Sequence, residues 1–229
     1  MRLFQDIRAC FFLLGLLLVT VQAKPQSAVQ KKAEEYFKNQ NFKSAIEQYK
    51  ILIKNDPQNI DYHHKIAICY LNANVDRTKA IPHLEKIVNK ENISPEVYLD
   101  LGIAYRYALK FDKAVEMLQK YQQTLPDSKK DKVEKLIKDC FSAKELVKYP
   151  LKVKFENLGD NINTEFPDYY PFISKDETML VYTSRRNRNR GAVLEFDGYY
   201  PSDVWIAEGV KGIFNKAKNA GVMINSEYD

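Results

Sequence analysis

Three histidines, three cysteines and a run of four arginines are the side chains in this sequence best suited to chemistry. His63, His64 and His83 could hold a metal or move a proton, yet none stands in H-E-x-x-H spacing. No cysteine pair has zinc spacing, and no G-x-S-x-G, phosphate-loop or G-x-G-x-x-G string occurs. The pair Glu34-Glu35 falls on a charged helix surface and carries no acid–base logic. Asp160, Asp168, Asp176 and Asp203 fall at turns or strand starts, where aspartate bonds its own backbone. A calcium loop would need its oxygen ligands more closely spaced. The residues therefore lead us to expect no enzyme, no cofactor and no metal.

The sharpest charge cluster is Arg185-Arg186-Asn187-Arg188-Asn189-Arg190-Gly191. Arg185, Arg186, Arg188 and Arg190 could grip an anionic partner or a surface sugar-phosphate. The same composition also makes an ordinary solvated hairpin loop after a strand, and that reading is favoured. Phe196, Tyr199 and Tyr200 follow, as a binding edge or as packing for a neighbouring sheet. Across the chain 35 basic residues face 30 acidic ones, a net charge of +5. The signs alternate on helix faces, as at Lys43, Glu47 and Lys50, so no nucleic-acid stripe is expected.

Residues 1–23 read as a secretory signal peptide. Arg2 and Arg8 give a basic start, Phe11 to Val21 is a short apolar run, and Val21-Gln22-Ala23 is a small-residue cleavage site. The run is short for a membrane span. Cys10 precedes it, so lipidation there is not expected. In an exported chain Cys69 and Cys140 could pair, but both fall inside helices of non-adjacent units, which predicts buried apolar thiols instead.

The elements that position these residues come from two periods. Tyr98-x2-Leu101-Gly102-x2-Tyr105, then Ala114-x3-Leu118, then Pro126, has the spacing of a 34-residue helix–turn–helix repeat. Ala33, Tyr36, Ala45, Tyr49 and Pro57 sit at the same offsets from a start at residue 26. Ala67, Tyr70, Ala80 and Leu84 do so from residue 60, with one extra residue before Ala80. The small residues mark close helix contacts, and the prolines break the chain between repeats. This pattern resembles the tetratricopeptide repeat, whose arrays hold other proteins. Three such repeats are expected over residues 24–149, ending in an amphipathic capping helix that carries Val133, Leu136, Ile137 and Cys140.

At Tyr149-Pro150 the pattern changes to short alternating runs. Strands are predicted at Leu151–Phe155, Met179–Thr183 and Val204–Ala207, with turns at 157–163, 174–177 and 187–191. Ile162-Asn163-Thr164-Glu165-Phe166 returns as Ile224-Asn225-Ser226-Glu227-Tyr228. A sheet unit that restarts in this way suggests propeller blades.

Pro171 to Arg186 resembles the WD40-like Pro-Asp repeat, also found in the TolB propeller. Glu177 stands where that repeat has glycine, so its turn is tolerated and not ideal. Ser202 to Ala207 resembles the strand that follows in each blade. The whole order resembles OmpA-family periplasmic proteins of Bacteroidota, some of which act in type IX secretion and gliding. The fold class expected is α + β and multidomain: an α-solenoid of repeats followed by the first blade of a β-propeller over 150–229. Because one blade cannot close a propeller, the chain is expected to be an N-terminal fragment.

The resemblance implies a non-enzymatic scaffold in the periplasm, associated with the outer membrane and binding protein partners of the cell envelope. Peptidoglycan would be bound only through a downstream domain, and the mature chain is expected to have no transmembrane helix. The alternative is the front of an exported hydrolase gated by a TolB-like propeller, with its catalytic residues beyond Asp229. A sensor with a downstream membrane helix is a third reading. The concave face of the array, lined by the first helix of each repeat, offers Phe37, Lys38, His64, Leu71, Asn72, Arg106 and Tyr107 to a partner. Phe37 and Leu71 serve equally well as packing between repeats.

Overall fold

A computed structural model describes residues 27–227 apart from 74 and 192. The signal-peptide reading of residues 1–23 lies outside the described residues.

Six helices form three antiparallel hairpins: α1 (Ala28–Lys38) with α2 (Phe42–Asn55), α3 (Ile60–Asn72) with α4 (Ile81–Ile87), and α5 (Glu96–Tyr107) with α6 (Phe111–Gln123). A seventh, α7 (Lys130–Leu146), packs on α6. Asparagine or serine starts the first three helices. Ser27 accepts from the Gln30 amide at 3.1 Å, Asn41 from Ser44 at 3.2 Å, and Asn59 from Tyr62 at 3.1 Å. The extra residue of the second repeat falls in the α3–α4 connection. There Asp76 caps a single 3-10 turn, Arg77–Ala80, before a shortened α4.

The repeat is visible in the backbone as well. Gln40 and Leu109 hold equivalent places after α1 and α5, and both adopt left-handed conformations with φ of 57° and 56°. Each turn closes with the same pair of bonds, Gln40 and Asn41 to Phe37 and Tyr36, and Leu109 and Lys110 to Arg106 and Tyr105. Ala33, Ala67, Ala45, Ala80 and Ala114 are all fully buried in one continuous core. Gly102 is needed for contact: a Cβ there would lie 2.9 Å from Leu118 Cγ, where α5 meets α6.

The strands begin at Asp168. β1 (Asp168–Ile173), β2 (Met179–Ser184) and β3 (Asp203–Val210) form an antiparallel meander. The short strands β4 (Ile213–Phe214) and β5 (Lys218–Asn219) both return to β3. Alternation sends Leu180 and Tyr182 of β2, with Trp205 and Ala207 of β3, into a small core with Ile162, Phe214 and Ala217.

The strand expected at Leu151–Phe155 does not form. Its alternation is real, but no strand among the described residues runs beside it. Leu151, Val153 and Phe155 are all exposed. Among the described residues no helix is long and apolar enough to cross a membrane.

Candidate functional site

The face expected to be concave is that of α1, α3 and α5. Side chains cross from helix to helix along it. Lys65 of α3 donates to Glu34 of α1 at 2.7 Å, and His64 of α3 donates through Nε2 to Asp100 of α5 at 2.8 Å. Arg77 donates to the Tyr107 hydroxyl and lies 4.5 Å from the centre of its ring. These bonds link neighbouring repeats across the face.

The expected groove residues separate into three groups. Leu71 is buried in the core at 8% exposure, which corrects its assignment to the groove surface: it packs between helices. Phe37 is half-buried, edge-on to Phe42 and Tyr49 at 6.3 Å. His64 is held by Asp100. Lys38 and Asn72 are exposed, with the Asn72 amide donating to the Ile68 carbonyl at the end of its helix. Arg106 and Tyr107 are brought together at an apolar cavity of about 440 Å³.

That cavity lies at the seam between α5 and α7. Ile103, Arg106 and Tyr107 form one wall and Ala143, Leu146 and Val147 the other, with Leu109 and Phe111 between. Tyr107, Leu109, Leu146 and Val147 are 49%, 63%, 72% and 47% exposed. Leu109 is the most informative. A left-handed backbone costs a leucine about 1 kcal/mol, and its side chain recovers little by burial here. Gln40 makes the same left-handed turn after α1, so the conformation belongs to the repeat, and what distinguishes Leu109 is a large apolar side chain left exposed there. Sequence reasoning missed Leu109 and the α7 wall, because the last helix was read only as an amphipathic cap on the array.

A tetratricopeptide-repeat family model matches residues 96–128. The match covers α5, α6 and the turn at Pro126, which is the hairpin that supplies one wall of the cavity. The chain is also similar to a solved structure described as "Crystal structure of MamA protein". The identity is 18%, the match covers 55% of this chain and 96% of that one, and the TM-score is 0.25. Comparison with curated proteins gave no match. The chain thus carries tetratricopeptide-repeat content joined to an antiparallel sheet, and such repeats are protein-binding scaffolds.

The arginine run is divided by the fold. Arg185 is clamped by Asp197 at 2.6 Å and by Glu195, and its Nε donates to the Tyr200 carbonyl at 2.8 Å. Arg186 is 7% exposed and lies 4.2 Å from the centre of the Trp205 ring. The solvated-loop reading therefore fails for these two: Arg185 is tied to carboxylates of its own β2–β3 loop, and Arg186 to Asp168 and Ile162 of an earlier segment. Arg188 is exposed. Arg190 is half-buried, 3.8 Å from Glu227.

Two chemically capable groups outside the groove are structural. Cys69 and Cys140 are free and buried, and burial pushes the Cys69 thiol up to about 12. His63 and His83 face each other across the second hairpin, Nδ1 to Nδ1 at 2.9 Å. His63 Nε2 lies 3.1 Å from the Pro57 carbonyl, which can only accept. That fixes the tautomers: His63 carries its proton on Nε2, and His83 donates from Nδ1 to the bare Nδ1 of His63.

Proposed function

We propose that this chain is an adaptor that holds a partner protein against its concave face, with the α5–α7 cavity as the anchor pocket. The observation that carries this reading is the apolar cavity itself, rimmed by the exposed side chains of Tyr107, Leu109, Leu146 and Val147. A partner helix or extended segment would place a large apolar side chain in the cavity and an acidic group near Arg106. The other expected contacts, Lys38 and Asn72, lie at the ends of α1 and α3, in the first and second hairpins.

The sheet is proposed as a second binding surface, the first unit of a propeller. The support is a turn that occurs twice, 62 residues apart. In the first copy the Gly159 amide donates to Asn157 Oδ1 at 2.7 Å, and the Ile162 and Asn163 amides return to the Gly159 carbonyl. In the second, Gly221 donates to Asn219 Oδ1 at 2.9 Å, and Ile224 and Asn225 return to Gly221. Both glycines sit at positive φ, 76° and 82°. The Asn225 amide group then brackets the Val204 backbone of β3, at 2.8 and 2.9 Å. An exported chain of this build would work in the cell envelope, bringing partners together at the outer membrane.

The test is a photo-crosslinker placed at Tyr107 in the mature chain, exposed to envelope extract. One dominant protein crosslinked at this position supports the reading. Leu109→Asn should weaken capture about tenfold while raising the melting temperature, since asparagine tolerates the left-handed turn. Capture unchanged by Leu109→Asn and Leu146→Asp would remove the cavity from the function.

A further inference from the structure

A second cavity, of about 360 Å³, opens in the sheet region between the turn at 160–166, the β2–β3 loop and the approach to β5. Its volume lies in the range of small-ligand sites. At its base is Arg186. The guanidinium is held firmly: Nε donates to Ser184 Oγ at 2.7 Å, and Nη2 is surrounded by Asp168 Oδ1 at 2.7 Å, the Tyr182 hydroxyl at 2.9 Å and the Ile162 carbonyl at 3.0 Å. These acceptors engage two of its three nitrogens. Among the described residues no acceptor engages the third, Nη1, and Arg186 is one of the residues that line the cavity.

The indole of Trp205 backs the guanidinium and fixes its plane. The indole is itself pinned, its N–H donating to Asn189 Oδ1 at 2.9 Å. The donor is thus rigid before any ligand arrives, which lowers the entropic cost of binding. Arg188 and Lys216 add cations to the lining, and Thr164 and Asn187 add polar groups suited to an amide or hydroxyl. Asp160 and Glu165 also line the cavity. With Asp168 paired to Arg186, these three carboxylates balance the three cations, so the surroundings carry no net charge; a phosphate dianion is disfavoured, and a single carboxylate would be held by directed hydrogen bonds from the guanidinium.

We propose that this cavity binds a small monocarboxylate bearing an adjacent amide or hydroxyl, with Arg186 Nη1 as the central donor and Arg188 and Lys216 as flanking cations. The site is independent of the helical groove and of the partner reading above. Trp205 is the only tryptophan in the chain, so its fluorescence reports on the cavity directly.

The experiment titrates the full chain with N-acetylglycine at constant ionic strength and follows Trp205 emission. N-acetylglycinamide, the uncharged twin, and inorganic phosphate are run beside it. Saturable change in the millimolar range is expected for the acid, and none for the amide. Arg188→Ala with Lys216→Ala, both at exposed positions, should weaken the acid about tenfold. Arg186→Lys should weaken it further, because lysine lacks the planar fork. If that variant loses its thermal transition, the two rim substitutions decide alone. No saturable signal from the acid, equal response to the amide, or indifference to the rim substitutions would each overturn the site. Phosphate binding as tightly as the acid would overturn its carboxylate preference.

Discussion

Single residues carry the clearest pH response. His63 and His83 are both held below the ordinary histidine value, by burial first, and His83 falls to about 4. On His83 the facing His63 and then Lys86 add to the effect of burial; on His63 the Pro57 carbonyl works against burial, and Lys86 adds a smaller push downward. Tyr70 stacks on His83 at 5.8 Å. Because the folded values lie below the unfolded ones, folding favours the neutral rings. The stabilisation is complete above about pH 6.5 and is lost as pH falls towards 4. We expect the array to lose on the order of 2 kcal/mol between pH 7 and pH 4.5 beyond the loss in a His83→Gln variant, measured by urea unfolding. Parallel pH curves for the two proteins would contradict this. Glu177 gives a second test. It takes φ of 57° in the β1–β2 turn, where the sequence resemblance had placed glycine. Glu177→Gly should stabilise the sheet by about 0.5–1 kcal/mol, read from the Trp205 transition in urea.

At the scale of elements, helix contact is decided by small residues. Gly102→Ala would gain roughly 1 kcal/mol of helix propensity but would press a methyl group against Leu118, which is fully buried. Overpacking costs about 1–3 kcal/mol, so the clash should win and the α5–α6 hairpin should melt earlier by circular dichroism. This contact was legible in the sequence, because glycine and alanine recur at fixed offsets. So were β2 and β3, whose alternation buries one face. The run at Leu151–Phe155 alternates just as clearly and forms nothing, since alternation specifies a face and not a neighbour. Arg186 was illegible for a related reason. Its acceptors Asp168 and Ile162 lie 18 and 24 residues away in sequence, so a charge run gave no hint that its second member is buried. The cavity was half legible: the repeat offsets pointed to Arg106 and Tyr107, while its other wall depends on how α7 closes the array.

For the molecule as a whole, the two regions differ in how they treat exposed backbone. The helices satisfy their own bonds and share one long core. Among the described residues the sheet has a core of seven buried apolar residues, and β1 pairs on one side only. Tyr170, Phe172 and Ile173 on that edge are 81%, 61% and 49% exposed. Pro171 removes one donor and a bulge between Tyr169 and Phe172 breaks the register, both devices that blunt an edge. No charged side chain follows Asp168 along β1 to reinforce them. If the sheet is one unit of a larger set, this edge is built to be covered, and left open it should recruit a second copy. We therefore expect sedimentation of the chain to show concentration-dependent association in the tens of micromolar range. Phe172→Lys should abolish it with little change in the sheet's urea midpoint, because the side chain is mostly exposed and lies outside the sheet's buried core. A monomer at every concentration would mean that Pro171 and the bulge suffice to protect the edge, and would weaken the case that the sheet seeks a neighbour.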